Sequence, residues 1–491
     1  MKHILGIDFG GGASKATLLS ENGEIVATST TEYPTHYPQP GYAEQNPQDW
    51  VDATCKNIHT VLEKSGVSPE DIVCISLDAA THTAVIMDEN FNVLRNSIYW
   101  TDTRSTEEVQ FLRENYSDII EKQVLHKPDT IWSLPELMWI KNNEPEIWAK
   151  VKKILFAKDY VRHFFTGDYV TDYIEAEGSM MFDINTMYWS AELCSVLDVD
   201  TSMMPEIVKP TDFVGKITKE SAEVTGLCVG TPVICGTTDT VMEIFAAGAV
   251  EKGDITLKLA TAGRICVITD KPYPDINLIN YSHIIDGLFY PGTATKSCAA
   301  SYRWFRDTFG GDYKDLDEGA ENIAIGSDGL VFHPYLNGEL TPYANPNLCA
   351  DFVGVRSSHT KAHFTRAVLE GVTMSMLDCK ETLDSMNIKH SESAIIIGGG
   401  GKSPLWRQMV SDALNMKLVE MKYADSSLGS AMLAGIAAGI FKNPEDAVSK
   451  CNEIVSETCP NSENTVKYRE LFKKYKAVQR ALEPIYNGEY L

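Results

Sequence analysis

The fold is decided by the stretch Ile4-Leu5-Gly6-Ile7-Asp8-Phe9-Gly10-Gly11-Gly12-Ala13-Ser14-Lys15-Ala16-Thr17-Leu18-Leu19. Two apolar runs flank a glycine-rich turn, a pattern that predicts a tight β-hairpin near a domain core. Asp8 ends the first strand, and the glycines of the turn leave backbone N–H groups that a phosphate can reach. Because an acid repels a phosphate, Asp8 is easier to explain if a cation lies between the two. A surface hairpin that needs glycine for positive φ explains the turn equally well.

The length and composition bound the class of protein. At 491 residues the chain is too long for one core and fits two domains or three. Its 44% hydrophobic and 23% charged residues are typical of a soluble globular protein. The formal net charge of −25 makes nucleic acid and anionic membranes unfavourable partners. Local dipoles or a metal can still hold a small anion.

The cysteines and the apolar runs indicate the compartment. Eleven cysteines are scattered from Cys55 to Cys459 with no Cys-x-x-Cys pair, which argues against a disulfide framework and against a zinc site. The first apolar run is broken by Asp8, so no signal peptide is expected. The longest apolar run, Ala431–Phe441, is too short and too rich in glycine to span a bilayer. We therefore expect a soluble protein of the reduced cytoplasm.

The residues after the hairpin predict an α/β domain. Glu24–Tyr33 alternates as a third strand, and a helix over residues 47–62 begins after the N-cap Asn46. Ile72–Leu77 and Ala84–Met87 are expected to be short buried strands. Three antiparallel strands followed by alternating helices and strands indicate this fold class. Further segments are predicted as helices at Ser133–Lys141, Lys158–Phe165 and Val241–Ala247, and as a strand at Pro232–Cys235.

The pattern restarts near residue 250. Asp254–Leu259, a turn at Ala260–Gly263, and Arg264–Thr269 form a second strand–turn–strand unit that weakly echoes the opening hairpin. We therefore expect two related domains that face each other across a cleft, with a boundary at about residue 247. Ser426–Ala438 is predicted as a small-residue helix suited to close packing, and Val466–Leu482 as a basic outer helix.

A second glycine-rich turn follows the predicted strand Ala394–Ile397. In Gly398-Gly399-Gly400-Gly401-Lys402-Ser403, Ile396 stands where a P-loop needs its first glycine, and Ser403 stands where a dinucleotide fingerprint needs its last. A strand, a glycine turn and a helix over Pro404–Leu414 capped by Ser403 can still accept a nucleotide. A tight βα turn explains the same residues.

Several polar residues could carry chemistry, and each has a structural alternative. Asp239 follows a buried strand in a turn of small residues, where a carboxylate can take a proton from an alcohol or simply cap the next helix. His82 could contact a ligand or be a hydrogen-bonded structural histidine. Asp102 and Arg104 could form a buried architectural pair.

These segments together resemble the FGGY carbohydrate kinases, and among them the xylulokinase branch, from Ile4 to about Gly439. The motifs that carry the resemblance are, in chain order, Gly6-Ile7-Asp8-Phe9-Gly10, Gly41-Tyr42-Ala43-Glu44-Gln45, Trp100-Thr101-Asp102-Thr103-Arg104, Lys158-Asp159-Tyr160, Gly236-Thr237-Thr238-Asp239, Leu330–Pro342, Arg366-Ala367-Val368-Leu369-Glu370-Gly371-Val372 and Gly398–Arg407. So many motifs in one order are far more specific than a lone glycine loop.

The resemblance implies an α/β architecture of two ribonuclease H-like domains, of the actin/hexokinase ATPase type, over residues 1–247 and 248–491. ATP, Mg²⁺ and a sugar would meet in the cleft, with Asp239 as the general base and with Asp8 and Asp239 at the metal. The residues implied to contact the sugar are Thr81, His82, Trp100, Asp102, Asp239 and Thr240. The residues implied to contact ATP are Gly10, Gly11, Gly12, Ala13, Ser14, Lys15, Thr261, Gly263, Gly400, Gly401 and Lys402.

Several positions depart from the family pattern. Gly11-Gly12-Ala13 replaces the usual hydroxyl side chains of the first turn, and Arg264 follows the second turn. Leu340 stands where arginine is usual, and Ile174-Glu175-Ala176-Glu177 replaces a serine-containing segment. Arg264 could contact a phosphate or pair with an acid.

We expect an ATP- and Mg²⁺-dependent kinase that phosphorylates a ketopentose, with D-xylulose first. The alternative substrates are L-xylulose, ribulose, gluconate and a hexulose. An acidic sugar would want a cationic partner, and Thr81 with His82 supplies only a weak one. A non-catalytic actin-like ATP switch is the alternative from another class. A homodimer is expected on general frequency alone.

Overall fold

The computed structural model describes residues 1–275 and 277–489, which divide into two compact units. The first unit contains Met1–Val250, Tyr281–Gly287 and Tyr423–Asn452, and the second contains the remaining described residues. The boundary predicted at about residue 247 lies near the first of these breaks. Two segments of the predicted second domain, residues 281–287 and 423–452, return to the first unit.

The strands are, in chain order, β1 (His3–Phe9), β2 (Ala13–Ser20), β3 (Ile25–Glu32), β4 (Glu44–Gln45), β5 (Ile72–Ala79), β6 (Ala84–Met87), β7 (Ser97–Ile98), β8 (Lys153–Phe156), β9 (Val170–Asp172), β10 (Phe182–Asp183), β11 (Tyr188–Trp189), β12 (Glu206–Val208), β13 (Phe213–Lys216), β14 (Pro232–Ile234), β15 (Thr237–Thr238), β16 (Ile255–Leu259), β17 (Gly263–Val267), β18 (Gly292–Thr295), β19 (Val331–His333), β20 (Asp351–Val353), β21 (Ser393–Ile397), β22 (Lys417–Met421) and β23 (Ile454–Thr458). The α-helices are α1 (Pro47–Ser65), α2 (Thr106–Asn115), α3 (Ser117–Gln123), α4 (Ser133–Asn143), α5 (Pro145–Trp148), α6 (Ala157–Thr166), α7 (Tyr173–Glu177), α8 (Ala191–Ser195), α9 (Lys219–Thr225), α10 (Asp239–Ala246), α11 (Ala299–Phe309), α12 (Tyr313–Glu321), α13 (Lys361–Ser385), α14 (Pro404–Leu414), α15 (Ser426–Ala437), α16 (Pro444–Cys451) and α17 (Ser462–Tyr486).

The main sheet of the first unit has the strand order β13-β14-β5-β1-β2-β3. β1, β2 and β3 form the predicted antiparallel meander. β5 runs parallel to β1, β14 runs parallel to β5, and β13 is antiparallel to β14. The short strand β15 pairs in parallel with the last residues of β5. This parallel pairing brings the carboxyl ends of β1, β5 and β15 to one edge of the sheet.

Helix α15 packs against β1 and β5 in the first unit, although it comes late in the chain. A Cβ on Gly6 would lie 2.0 Å from the carbonyl oxygen of Ser427, so β1 needs glycine at this crossing. A Cβ on Gly429 would lie 2.2 Å from the carbonyl oxygen of Met242, so α15 needs glycine where it meets α10. The prediction that this small-residue helix packs closely against a backbone is confirmed.

The main sheet of the second unit has the order β18-β17-β16-β21-β22-β23. β16, β17 and β18 form an antiparallel meander, β21 and β22 continue in parallel, and β23 is antiparallel to β22. This order and these directions repeat those of the first sheet strand for strand. The predicted class of two related α/β domains is therefore confirmed, and so is the echo of the opening hairpin in β16 and β17.

Most predicted elements differ from the structure only at their ends. The strand predicted over Arg264–Thr269 ends at Val267, and the last helix begins at Ser462, earlier than predicted. Asn46 and Ser403 cap their helices as expected. No disulfide joins any of the eleven cysteines, all of which lie in the described residues. Across the described ranges, we find no helix with the length and apolar character that a membrane crossing requires.

Candidate active site

Three carboxylates come together at the carboxyl ends of neighbouring strands. Asp8 lies opposite Asp78 in the parallel pairing of β1 with β5. β15 pairs with the end of β5, which places Thr237 opposite Asp78, and Asp239 follows as the first residue of α10. In α/β sheets the carboxyl ends of the strands are where ligands bind. Asp239 Oδ1 accepts the main-chain N–H of Thr240 over 2.6 Å, which fixes its carboxylate.

The negative charges of this cluster oppose one another. Burial, together with the charges of Asp239 and Asp425, raises the pKa of Asp8 to about 7. Burial and the charge of Asp8 raise the pKa of Asp78 well above its usual range. Asp8 Oδ1 and Asp78 Oδ1 are buried and find no hydrogen-bond donor in residues 1–275 and 277–489. Buried carboxylate oxygens without a donor are unusual, and a cation would stabilise them.

Helix α15 brings a fourth carboxylate to this edge of the sheet. Asp425 is the N-cap of α15 and also accepts a hydrogen bond from Lys15 Nζ on β2. On the same helix, Ser430 Oγ donates to Asp78 Oδ2 over 2.5 Å. Lys15 is half-buried in this pair, whereas Ser14 Oγ is buried against Thr54 Oγ1 at 3.2 Å. Of these two residues predicted to contact ATP, only Lys15 can therefore offer its side chain.

The turn between β1 and β2 has open space beside two of its glycines. A Cβ on Gly10 or Gly12 would meet no atom within 4 Å, whereas a Cβ on Gly11 would lie 2.6 Å from the hydroxyl of Tyr99. None of the three glycines has a positive φ. The interpretation that this turn needs glycine for a left-handed backbone is therefore wrong. Glycine is needed at position 11 for the approach of Tyr99. The main-chain N–H of Gly10 donates to the carbonyl oxygen of Ala13 over 3.1 Å, so the open space beside Gly12 is the better approach for a ligand.

Side chains from neighbouring segments hold the carbonyl groups of this turn. The hydroxyl of Tyr33 donates to the carbonyl oxygen of Gly10 over 2.5 Å, and Gln45 Nε2 donates to that of Gly11 over 2.9 Å. Trp50 Nε1 donates in turn to Gln45 Oε1 over 3.0 Å. The last residue of the Gly41-Tyr42-Ala43-Glu44-Gln45 motif thus supports the glycine turn.

Thr81 and His82 lie on the loop that leaves β5. His82 is 7% exposed, and burial lowers its pKa to about 3, so its ring is neutral at physiological pH. Its Nδ1 finds no hydrogen-bond partner within the described ranges, and its ring packs edge-on against Trp132 at a centroid distance of 4.9 Å. A neutral imidazole can exchange a hydrogen bond with a hydroxyl group, but it offers no charge to a carboxylate.

Asp102 is tied into an ion pair, whereas Trp100 is exposed. Asp102 Oδ2 accepts the main-chain N–H of Ala43 over 2.6 Å and a hydrogen bond from Arg104 Nη2 over 2.7 Å. Arg104 Nη1 also donates to Glu44 over 2.9 Å, so two of the family motifs brace each other. Asp102 and Arg104 therefore form the buried ion pair that the sequence offered as one of two explanations for Asp102. The assignment of Asp102 and Trp100 to the sugar stays a prediction.

In the second unit, the turn between β16 and β17 exposes Thr261 and buries Gly263. A Cβ on Gly263 would lie 2.5 Å from Met376 Sδ, so glycine is required there by packing. The carbonyl oxygen of Thr261 accepts the main-chain N–H of Cys298 over 3.0 Å, just before α11. Thr261 and Ala262 are thus the exposed residues of this turn, and Thr261 offers the turn a hydroxyl side chain.

The Gly398–Lys402 segment forms a tight turn between β21 and α14. Gly398 has a φ of 92°, and a Cβ there would lie 2.7 Å from the carbonyl oxygen of Leu259. A Cβ on Gly400 would lie 2.8 Å from the ring of Trp406. These glycines serve the close packing of a βα turn, which the sequence allowed as the alternative to a nucleotide site, while Lys402 is exposed.

Comparison with known proteins identifies the family. Residues 3–246 match the N-terminal domain of the FGGY family of carbohydrate kinases, and residues 268–438 match its C-terminal domain. The chain belongs to the FGGY family of carbohydrate kinases. As an FGGY kinase it is a sugar phosphotransferase, and a kinase uses ATP.

This FGGY kinase is similar both to xylulose kinases and to a gluconokinase. It is 32% identical to the xylulose kinase of Bacillus subtilis (strain 168) over 97% of both chains. It is 30% identical to the gluconokinase of the same strain, over 99% of this chain and 97% of that one. Among solved structures, it is similar to ligand-bound xylulose kinase from Lactobacillus acidophilus, with a TM-score of 0.93, 26% identity and 99% of each chain covered.

Sequence reasoning found Asp8 and Asp239 of the FGGY kinase but missed Asp78 and Asp425. Asp78 carried a usable signal, because it follows the buried residues of β5 just as Asp8 follows those of β1. Asp425 carried no such signal, because it precedes a small-residue helix that the sequence assigned to the other domain. Its approach to Lys15 spans 410 residues of chain.

The carboxylates also fit the metal that the family resemblance implies. Within the described ranges, no group of three or more His, Cys, Asp or Glu side chains is arranged to hold a metal alone. Mg²⁺ is usually held by one or two carboxylates, with water and phosphate oxygens completing its coordination. Asp8 on β1 and Asp239 after β15 lie at the same sheet edge on either side of β5, interact electrostatically, and leave Asp8 Oδ1 without a donor in the described residues, which matches that requirement.

Proposed function

We propose that this FGGY kinase phosphorylates a ketopentose, with D-xylulose as the first candidate. Similarity to the xylulose kinases of Bacillus subtilis and Lactobacillus acidophilus supports this substrate class. The observation that carries the proposal is the convergence of Asp8, Asp78 and Asp239 at one sheet edge, with the neutral His82 on the loop that leaves the same edge.

Asp239 is proposed as the general base. The main-chain N–H of Thr240 fixes the carboxylate of Asp239 at 2.6 Å, which keeps the group oriented before the sugar arrives. A carboxylate held in this way can take the proton of the attacking hydroxyl as the new phosphorus–oxygen bond forms. Positioning and charge stabilisation account for most of the catalysis in phosphoryl transfer, so the orientation of this carboxylate matters most.

Asp8 and Asp239 are proposed to hold Mg²⁺. When bound, the metal would neutralise charge on the phosphate oxygens of ATP. Burial, followed by the charges of Asp239 and Asp425, raises the pKa of Asp8 to about 7, and a bound cation would stabilise the ionised carboxylate. The open turn at Gly10, Gly11 and Gly12 and the side chain of Lys15 would contact the phosphates, with Ala13 and Ser14 contributing main chain.

Three glycine-turn residues and Thr261 of the second unit are proposed to take part in ATP binding as well. The exposed hydroxyl of Thr261, on the turn that ends at Gly263, would contact phosphate oxygens. Gly400, Gly401 and the exposed Lys402 would lie at the adenosine, where the main chain forms a compact turn before α14.

A neutral sugar fits His82 better than a sugar acid does. The ring of His82 is uncharged, and its main-chain N–H is bound to the carboxyl group of Glu175 over 2.5 Å. A carboxylate on the substrate would approach a second acid and would gain no charge from the neutral ring of His82. Similarity to the gluconokinase of Bacillus subtilis keeps gluconate as the second candidate.

A panel of substrates assayed for ADP production tests the proposal. The purified full chain is given D-xylulose, L-xylulose, ribulose, a hexulose or gluconate with ATP and Mg²⁺. We expect the highest kcat/KM on D-xylulose and a value at least about tenfold lower on gluconate. A higher kcat/KM on gluconate would contradict the neutral-sugar assignment, and ADP production that no sugar stimulates would contradict the proposed reaction.

A homodimer and a cytoplasmic location stay predictions. Sedimentation of the purified full chain checks whether it is a homodimer.

A further inference from the structure

The main chain of His82 adopts a left-handed conformation with a φ of 59°. This region is uncommon for a residue other than glycine, and it persists only where the surroundings hold it. Two buried side chains do so. The main-chain N–H of His82 donates to Glu175 Oε1 over 2.5 Å, and Ser133 Oγ donates to the carbonyl oxygen of His82 over 2.5 Å. The peptide groups on both sides of His82 are therefore fixed.

Helix α7, which carries Glu175, also approaches the ring of His82. Gly178 follows the last residue of α7, and a Cβ there would lie 3.0 Å from His82 Cδ2 and 3.0 Å from Thr81 Cγ2. Trp132 packs on the ring of His82 at a centroid distance of 4.9 Å. The direction in which the ring points thus depends on where α7 lies.

A buried network fixes Glu175 in its turn. Asp172 Oδ1 accepts the main-chain N–H of Glu175 over 3.2 Å at the start of α7, and Lys158 Nζ lies 2.8 Å from Asp172 Oδ2. Thr237 Oγ1 on β15 donates to Asp172 Oδ1 over 2.8 Å. Because β15 leads directly into the proposed base, one network connects that strand with the helix that holds His82.

We propose that Glu175 is a positioning residue for the sugar site, because its carboxyl group holds the main chain of His82 so that Nδ1 of the ring meets a sugar hydroxyl. This inference rests on the proposed function for the role of His82. Glu175 is 1% exposed and acts through His82, without touching the sugar itself. Its Oε2 has no hydrogen-bond partner among the described residues, so a glutamine can keep the acceptor for His82 and place its NH₂ group at the other position.

Kinetics of two variants test the inference. Glu175→Leu removes the acceptor and keeps the volume, and it should raise the KM for D-xylulose by about tenfold or more. The KM for ATP should stay within about twofold. Glu175→Gln should stay within about threefold of the unchanged chain for both substrates. A KM for D-xylulose within about twofold in Glu175→Leu, or an equal defect in Glu175→Gln, would overturn the inference.

Glu370 provides a matched control in the second unit. Its buried carboxyl group also accepts a main-chain N–H from another segment, that of Gly326, over 3.0 Å. Glu370→Leu should lower the melting temperature and leave the KM for D-xylulose unchanged. If that KM also rises about tenfold, the effect of Glu175→Leu is general destabilisation, and the positioning role is refuted.

A readout other than activity separates this inference from the proposed function. Imidazole NMR of the full chain, with the His82 signal identified by its loss in His82→Gln, should show a shifted signal in Glu175→Leu and an unshifted one in Glu175→Gln. If no sugar is phosphorylated and the signal still shifts in this way, the proposed function fails and the contact stands. An unshifted signal in Glu175→Leu refutes the contact. Should Glu175→Leu not fold, Ser133→Ala removes the other bond to His82, and an unchanged sugar KM there overturns the inference.

Discussion

Asp8 and Asp78 lie opposite each other on the parallel strands β1 and β5, in a register that places both carboxyl groups at the same end of the sheet. Each has an Oδ1 atom that is buried without a donor in the described part of the chain. Two acids held side by side in this way destabilise the fold, and such arrangements are characteristic of functional sites. The charges of Asp239 and Asp425 also act on Asp8, whereas Asp78 accepts a hydrogen bond from Ser430 Oγ on α15.

Replacing Asp78 by asparagine should raise stability and lower activity. Burial raises the pKa of Asp78 well above its usual range, so the fold bears the cost of keeping this acid out of water; the amide removes that cost and can still accept the hydrogen bond of Ser430 Oγ. We expect a higher melting temperature without Mg²⁺ and a kcat/KM lower by about tenfold or more. Glu136→Gln is the matched control, because burial raises the pKa of Glu136 well above its usual range in α4. It should stabilise the fold with kcat/KM unchanged, and equal losses of activity in both variants would show that Asp78 has no special role.

Replacing Asp239 by alanine should abolish sugar-dependent ADP release while ATP still binds. Loss of a general base typically costs a factor of about 10²–10⁴ in rate. ADP production measures the turnover, and calorimetric titration with a non-hydrolysable ATP analogue measures the binding. The exposed Asp212 serves as the control position, and Asp212→Ala should keep full turnover. Turnover of Asp239→Ala within about tenfold, or about 1.4 kcal/mol, would remove Asp239 from the role of base.

Local signals were enough to predict part of the site and most of the fold. The apolar alternation around the first turn predicted β1 and β2, and the positions of Asp8 and Asp239 at the ends of buried apolar runs marked both as candidate site residues. The same rule, applied to β5, would have found Asp78. These features depend on residues close in sequence, where strand propensity and turn chemistry act directly.

Long-range contacts could not be predicted in this way. Nothing near Asp425 indicates that α15 returns to β1, because that packing depends on the absence of a side chain at Gly6, far away in the chain. Residues 281–287 return to the first unit, where Ser282 donates to the buried Glu177, a residue that the sequence showed only as a departure from the family pattern. The sequence also could not distinguish a glycine needed for positive φ from one needed for a close approach, as Gly11 shows.

Replacing Gly11 by alanine should weaken ATP binding, and a second substitution should restore part of it. The new Cβ would lie 2.6 Å from the hydroxyl oxygen of Tyr99, so either the turn or the ring must move. We expect the KM for ATP to rise by about tenfold. Tyr99→Phe removes that oxygen, and the double variant should recover most of the loss while Tyr99→Phe alone stays near normal. Additive effects of the two substitutions would contradict a steric cause.

Replacing Gly6 by alanine should destabilise the first unit severely. A Cβ there would lie 2.0 Å from the carbonyl oxygen of Ser427 and 2.3 Å from the main-chain nitrogen of Ala431, neither of which can move alone. We expect a loss of more than about 3 kcal/mol in urea unfolding. Gly319 in α12 is the matched control, since a Cβ there makes an ordinary contact of 3.7 Å with Ala362. Gly319→Ala should stabilise by about 0.5–1 kcal/mol, and equal effects at the two positions would contradict the packing of α15 on β1.

Glu177 should make the stability of the fold depend on pH. Burial raises its pKa to about 8, and nearby Asp172 adds to the rise, although the N–H and the hydroxyl of Ser282 oppose it by donating over 2.8 and 2.5 Å. The unfolded chain releases this proton near a pH of about 4.3. Between the two values the folded chain holds the additional proton, so stability is highest below the lower value and falls as pH rises, by up to about 1.4 kcal/mol per pH unit.

Glu177→Gln should remove this part of the dependence, because the amide keeps an acceptor for Ser282 and carries no charge at any pH. The other buried acids titrate in both proteins, so the difference in unfolding free energy between the variant and the unchanged chain isolates Glu177. Urea unfolding at several values between about pH 5 and pH 8 should show that difference moving steadily in favour of the variant. The exposed Glu463, changed to glutamine in the same way, should give a constant difference. Two parallel curves for Glu177→Gln would mean that Glu177 is ionised in the folded chain throughout this range, and its pKa would then lie near the usual value.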